Sequence, residues 1–179
     1  FGAVLFAFLL DAAAQEKPPI IIKPTATEEI RLAIADFQPK NRDSATAELN
    51  AVLQEFNSVL WEDALFCGWF AVENKSLYPP TPIVEPDHIK FSEWKTSPLS
   101  VDFLAMGNVR EEGINYIFEV RLYDVKTQAQ VFGQRYTVTK EKIRHVAHRF
   151  ADEIVFHLTA GASKGIASTQ IAFVSKRTG

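Results

Sequence analysis

Apolar and polar residues alternate along two neighbouring stretches of the chain, which predicts a β-hairpin. The alternating positions are Ile114, Tyr116, Phe118, Val120 and Leu122 on the first arm, and Phe132, Gln134, Tyr136 and Val138 on the second. A period of two places alternate side chains on one face of a strand. The turn between the arms falls at residues 126–129. We therefore expect two antiparallel strands with one buried face.

A longer period, of three to four residues, predicts two helices. The apolar positions are Leu49, Val52, Leu53, Phe56 and Leu60 in the first helix, and Ile143, Val146, Ala147, Phe150, Ile154 and Leu158 in the second. This spacing places each set on one helix face. We expect Asp43 or Ser44 to cap the first helix, and Gly68 to end it in a left-handed conformation. Thr139 is the expected cap of the second helix.

Apolar runs predict further strands at residues 30–37, 69–73, 101–109 and 166–174. Four prolines between residues 79 and 86 disfavour a helix there, and Asp87 is expected to cap a short helix that ends at Trp94. The order β-α-β-(α)-β-β-β-α-β includes a long hairpin, so the sheet is expected to be mixed. The predicted fold class is α/β in the α+β sense, a mixed β-sheet packed by two main helices.

The first 29 residues are expected to precede the folded domain. Residues 1–10 form an apolar run that is too short to span a bilayer of about 30 Å, and three alanines follow at Ala12–Ala14. We interpret residues 1–14 as the remnant of a cleavable signal peptide, which predicts export to the periplasm. Residues 15–29 are predicted to be extended, because their prolines disfavour helix.

Charge and cysteine content exclude some classes of protein. Nineteen basic against 22 acidic residues give a net charge of −3, which argues against a general nucleic-acid binder. Cys67 is the single cysteine, so no intrachain disulfide can form. The sequence contains neither a GxxxxGK[ST] phosphate loop nor a GxGxxG motif. We therefore predict no cofactor.

Two groups of residues could carry chemistry. Glu141, His145, His148 and Asp152 share one face of the second helix and could hold a metal ion, or they could be its solvent-facing side. Ser163 stands in a G-x-S-x-G sequence, but a nucleophile elbow needs a strand before the serine and a helix after it. Here a helix comes first, and no histidine follows. We therefore predict neither a catalytic set nor a metal.

Several motifs resemble, in order and spacing, the TolB family of the Tol–Pal envelope system. The run RHVAHRFADEIVFHLT at residues 144–159, followed by GIASTQIAFV at 165–174, is similar to the family's last domain helix and the strand after it. LWEDALFCGWF at 60–70 and DFLAMGNV at 102–109 resemble further family motifs, with Cys67 where serine is usual and Ala64 where leucine is usual. The matching motif residues are Gly68, Gly107, Arg144, His148, Asp152, Glu153 and Thr169.

The resemblance implies a domain layout and partners. Residues 30–164 would be the amino-terminal α/β domain, and residues 165–179 the first strand of a truncated six-bladed β-propeller. In the family, the amino-terminal segment binds the carboxy-terminal domain of TolA and the propeller binds Pal. The implied TolA-binding residues are Gln15, Glu16, Lys17, Ile20, Ile21, Ile22 and Lys23. The implied role is a non-enzymatic scaffold for envelope integrity and outer-membrane constriction, with no cofactor, nucleic acid or small-molecule substrate.

Two alternatives remain open from the sequence. The chain could be another exported α/β module, such as a lipoprotein domain that activates a wall synthase, although no lipid-bearing cysteine follows the apolar run. It could also be a metal-dependent enzyme built on His145 and His148.

Overall fold

The computed structural model describes residues 29–43 and 45–169. The strands are β1 (Arg31–Ile34), β2 (Gln38–Pro39), β3 (Ala71–Val72), β4 (Phe103–Glu112), β5 (Asn115–Asp124) and β6 (Gln130–Val138). The helices are α1 (Ala47–Cys67), α2 (Phe91–Lys95) and α3 (Ile143–Leu158). Single 3₁₀ turns occur at residues 75–77, 86–88 and 140–142.

The sheet is mixed, as the sequence predicts. Its strand order is β3-β1-β4-β5-β6, and the short β2 also pairs with β4. β1 runs parallel to β3 and β4, whereas β5 is antiparallel to both of its neighbours, β4 and β6. The long hairpin and its turn are confirmed, because β5 and β6 pair antiparallel on either side of residues 125–129, with an irregularity between Leu122 and Tyr123. Ile114 is the exception: it lies in the β4–β5 turn and is 82% exposed. The prediction of one buried face is wrong for β5, whose Ile117, Glu119 and Tyr123 are also buried.

The main core lies between the sheet and the two long helices. α1 and α3 cover the same face of the sheet, and the apolar stripes predicted for both helices are buried there, except that Leu158 is only partly buried. Four fully buried aromatic rings form the centre, and they are Phe37, Phe56, Phe118 and Phe150. Phe37 and Phe56 lie 4.7 Å apart between ring centroids, and Phe56 and Phe118 lie 4.6 Å apart. These contacts make the helix layer and the sheet a single unit.

The opposite face of the sheet is only partly covered. Residues 78–101, which include α2, pack a second apolar cluster against β1 and β4, with Trp94 and Leu99 nearly fully buried. On β5 the same face carries Tyr123, which belongs to this cluster, and also the charged Glu119 and Arg121; on β6 it carries Arg135. The sheet is therefore covered on both faces at β1 and β4, whereas towards β6 the face away from the helices is polar.

The predicted starts of both long helices are wrong. The cap of α1 is Thr46, whose Oγ1 accepts the Leu49 amide at 2.9 Å, rather than Asp43; Ser44 lies outside the described residues. Thr139 begins a 3₁₀ turn without a side-chain cap, and α3 itself starts four residues later.

Three predicted strand boundaries also change. β1 ends at Ile34 because the amide and carbonyl of Phe37 bond to the Asn57 side chain, at 2.8 and 3.2 Å, rather than to a strand. β4 starts two residues late, since the amide of Val101 bonds to the Trp94 carbonyl at 2.8 Å. The strand predicted between residues 69 and 73 contains only β3.

Two further predictions differ in the connecting segments. The predicted short helix is only α2, which begins after Lys90, and Asp87 lies in a 3₁₀ turn before it. Residues 166–168 form a turn rather than the beginning of a strand, and residues 170–174 lie outside the described residues.

Candidate partner-binding site

The segment predicted to bind a partner, residues 15–27, lies outside the described residues. Its predicted contact residues are therefore not placed by the structure. The described chain begins at Glu29, immediately before β1. β1 has a neighbour on each side, β3 and β4, so residues 29–30 lead into an interior strand of the sheet.

The four side chains considered as metal ligands have separate contacts. His148 Nδ1 lies 2.6 Å from Asp63 Oδ2 and so joins α3 to α1, whereas Glu141 and His145 are exposed. Burial raises the pKa of Asp63, although His148 opposes that shift. Asp152 binds backbone amides instead. Among residues 29–43 and 45–169, no group of three His, Cys, Asp or Glu side chains is arranged to hold a metal.

Asp152 fixes the path of the chain after α3. Its Oδ1 accepts the amide of Ala167 and its Oδ2 accepts the amide of Ser168, both at 2.8 Å. Gly165 has a φ of +74°, and a Cβ at this position would overlap the Asp152 carboxylate, so glycine is required there. The Thr169 hydroxyl closes the turn by donating to the Ile166 carbonyl at 2.5 Å. The motif residues Asp152 and Thr169, together with Gly165, thus act as one anchor for the segment that follows α3.

Replacing Asp152 with alanine is expected to release this anchor without unfolding the domain. Both amides would lose a charged acceptor, so the segment would open more often. We expect trypsin to cleave after Lys164 about tenfold faster, as followed by mass spectrometry. Glu153→Ala is the matched control on the same helix, because Glu153 lies 3.8 Å from His157 and binds no backbone amide of this segment among the described contacts. Equal cleavage rates in both variants would contradict the anchor.

The other motif residues have mostly structural contacts. Gly68 ends α1 with a φ of +66°. Gly107 lies against the Phe37 ring and the Glu119 carbonyl, where a Cβ would overlap both. Arg144 lies 4.0 Å from Glu55 on α1. The fold alone therefore accounts for these residue types at these positions.

The structure gives Ser163 and Cys67 no nucleophilic environment. Ser163 lies in the turn after α3, where its amide donates to Thr159 Oγ1 at 3.0 Å and its own Oγ accepts the Gly165 amide at 3.3 Å. Cys67 is half-buried at the end of α1, and its thiol donates to the Ala64 carbonyl at 3.1 Å. Burial raises the pKa of this thiol, which keeps it protonated near neutral pH.

The sequence pattern does not predict a buried carboxylate on the sheet face away from the two long helices. Glu119 is 5% exposed, and four cationic side chains surround it. Its neighbours are Lys40 at 3.3 Å, Arg110 at 3.4 Å, Arg121 at 3.0 Å and Arg135 at 2.9 Å. Burial raises the pKa of Glu119, but hydrogen bonds from Arg121 and Lys40 outweigh it and hold the pKa at about 2. The only signal in the sequence was the polar side of the hairpin's alternation.

An exposed apolar patch lies where α1 ends. Phe66 is 79% exposed and Ile166 is 54% exposed, and both line a cleft with Phe70 between the ends of α1 and α3. Neighbouring exposed apolar side chains can mark an interaction surface. No helix within the described ranges is long and apolar enough to cross a membrane.

Comparisons with known proteins agree with the fold and the motifs. A model of the TolB amino-terminal domain matches residues 18–131. Tol-Pal system protein TolB of Syntrophus aciditrophicus is 29% identical over 162 residues, which cover 88% of this chain and 34% of that protein. The TolB of Geobacter metallireducens is 30% identical over 155 residues, which cover 87% and 35%.

A solved structure adds support for the fold. TolB from Acinetobacter baumannii aligns with a TM-score of 0.56 at 19% identity, over 75% of this chain and 29% of that one. The chain spans about a third of the length of these two curated relatives. Since the amino-terminal domain model matches more than half of the chain, the chain belongs to the TolB family and represents a component of the Tol–Pal system.

Proposed function

We propose that this chain is a non-enzymatic, protein-binding module of the Tol–Pal system in the periplasm. The observation that carries the proposal is the family match over residues 18–131, which includes part of the amino-terminal segment as well as the domain. The separate contacts of Asp63, His148 and Asp152 favour this function over a metal-dependent enzyme, because these side chains serve the structure.

The amino-terminal segment is the proposed binding element for the carboxy-terminal domain of TolA. Residues 20–22 are three consecutive isoleucines, and such β-branched residues favour extended structure. An extended peptide can add to the edge of a partner's sheet, with its backbone providing affinity and its side chains specificity. Pro18, Pro19 and Pro24 cannot donate to such a ladder, so they limit pairing to the stretch between them.

The domain itself is proposed as the support that presents this segment. β1 is held on both sides in the sheet, so the segment before it would leave from a rigid point. Residues 165–179 are proposed to begin a β-propeller, which in the whole protein would bind Pal. The scaffold would thereby connect inner-membrane TolA with outer-membrane Pal and support envelope integrity and constriction during division.

Calorimetric titration with the TolA carboxy-terminal domain of the same organism tests the proposal. We expect binding heat from the 179-residue chain and none after deletion of residues 15–27. Substituting serine for Ile20, Ile21 and Ile22 together should weaken binding at least tenfold, because the pairing stretch would lose its apolar side chains. Arg42→Gln is a control in an exposed loop of the domain and should leave the heat unchanged. Full affinity after the deletion would refute the assignment.

A further inference from the structure

β6 leaves a long edge of the sheet open. It pairs with β5 alone, and no other strand of the described residues lies along its outer side. The strand has nine residues, QVFGQRYTV, without proline or lysine. Proline, lysine and short length are the usual means by which proteins block pairing at an edge. By contrast, β3 at the opposite edge has only two residues. β6 therefore offers the longer row of backbone groups to an added strand.

Positive charge lies on both faces of this edge. The Arg135 side chain is 63% exposed on the face away from the helices, where it reaches Glu119. On the helix face, the Arg149 guanidinium lies 5.5 Å over the centre of the Tyr136 ring. The buried Tyr136 hydroxyl has no hydrogen-bond partner among the described residues. A carboxylate brought to either face of β6 would therefore meet a cation.

The surrounding sequence is basic in a chain that is acidic overall. Residues 130–149 contain five Arg or Lys residues and one Glu, whereas the chain carries a net charge of −3. Lys140 and Arg144 face acidic residues of α1, at 3.0 Å from Glu48 and 4.0 Å from Glu55. Arg135 is also paired, with Glu119 at 2.9 Å, but it lies on β6 itself, and Arg149 lies over the β6 residue Tyr136. These two cations are therefore the ones placed to meet a partner at the edge.

We propose that β6 docks an extended, acidic segment of a partner protein, which adds as a further strand with carboxylates facing Arg135 and Arg149. This surface is distinct from residues 15–27 and goes beyond the function proposed above. The segment 15–27 fits the edge poorly, because it has two lysines, one glutamate and three prolines. A second copy of β6 also fits poorly, since its single charged residue is Arg135.

Amide NMR of the isotope-labelled 179-residue chain tests this proposal with a defined probe. The probe is the peptide acetyl-Thr-Glu-Glu-Val-Glu-Glu-Thr-amide, which places glutamates on both faces of an added strand. Its lysine counterpart, with Lys in place of each Glu, is the charge control. We expect the acidic peptide to shift the amide signals of residues 130–138 and to bind at least fivefold more tightly than the lysine peptide. Equal binding of both peptides, or shifts elsewhere in the domain only, would overturn the proposal.

Variants separate edge binding from general charge attraction. Arg149→Gln should weaken the acidic peptide about fivefold, because its charge lies beside β6. Lys142→Gln removes the same charge from the 3₁₀ turn before α3, outside the edge, and should change affinity less than twofold. Equal weakening by both variants would overturn the edge site.

Two other candidates for the strand added at β6, residues 15–27 and a second copy of the chain, would give different results. Faster amide exchange of β6 after deletion of residues 15–27 would identify this segment as the occupant, and loss of β6 signals on concentration would identify a second copy. Either result contradicts the proposal. Failure of TolA binding would leave these peptide results unchanged, so the two proposals fail independently.

Discussion

Replacing Gly107 with alanine is expected to lower the free energy of unfolding by about 3 kcal/mol. Gly107 lies in the middle of β4 and is opposite Val120 of β5. A Cβ there would overlap the Phe37 ring and the backbone carbonyl oxygen of Glu119. The carbonyl belongs to the sheet ladder, and the ring is fixed between Phe56 and Phe150, so neither can move away easily.

Urea unfolding followed by circular dichroism measures this cost, and Gly133→Ala is the matched control. Gly133 lies on β6, where a Cβ would meet only the flexible end of the Gln130 side chain. We expect its substitution to change stability by no more than about 0.5 kcal/mol. Similar losses in the two variants would show that the close approach at Gly107 is not what requires glycine.

Replacing Glu119 with glutamine is expected to cost about 2 kcal/mol at pH 7. The pKa of this carboxyl falls from an ordinary 4.5 to about 2, a difference that corresponds to about 3 kcal/mol. The expected loss of stability is smaller than this because the side chains of Lys40, Arg110 and Arg135 are at least a third exposed, so water partly screens their charges. Without the carboxylate, the four cations would repel one another.

The contribution of Glu119 to the free energy of unfolding is expected to depend on pH. Because the folded pKa is lowered, the carboxylate stabilises the fold fully above pH 4.5, and that contribution is lost as the pH falls from 4.5 towards 2. The stability difference between the wild type and Glu119→Gln should therefore shrink over this range. Glu112→Gln is the control on β4, because its side chain is 68% exposed and lies 3.9 Å from Arg110. A difference that stays constant down to pH 2 would contradict the role assigned to Glu119.

The periodic parts of the fold could be predicted from the sequence because burial repeats along them. The helix stripes and the hairpin each bury one face, so the spacing of apolar residues determines both element type and orientation. Predicted element boundaries are wrong where a side chain, rather than another backbone group, bonds to the backbone. Asn57 ends β1 by bonding to Phe37, and Thr46 takes the cap of α1. Neither contact follows from apolar periodicity. The contact of Asn57 depends on the tertiary fold, which brings together residues 20 positions apart, whereas the Thr46 cap is local and depends on a polar side chain.

The candidate site could be predicted only in part. Motif order identified the family, but it gave no reason for Asp152, whose partners are backbone amides 15 and 16 residues further along. The cluster around Glu119 joins residues from 40 to 135 in the chain, so no local pattern contains it. The open edge of β6 follows from strand order, which the sequence left undetermined.

The most direct test of the account is an amide NMR titration of the labelled 179-residue chain with the TolA carboxy-terminal domain of the same organism. We expect signals from residues 15–27 to shift or broaden at stoichiometric partner, while the backbone amide signals of the core phenylalanines, such as Phe56 and Phe118, stay in place. Signals of β6 should also stay in place. Unchanged signals in residues 15–27, whether other signals shift or none do, would contradict the proposal that this segment binds TolA.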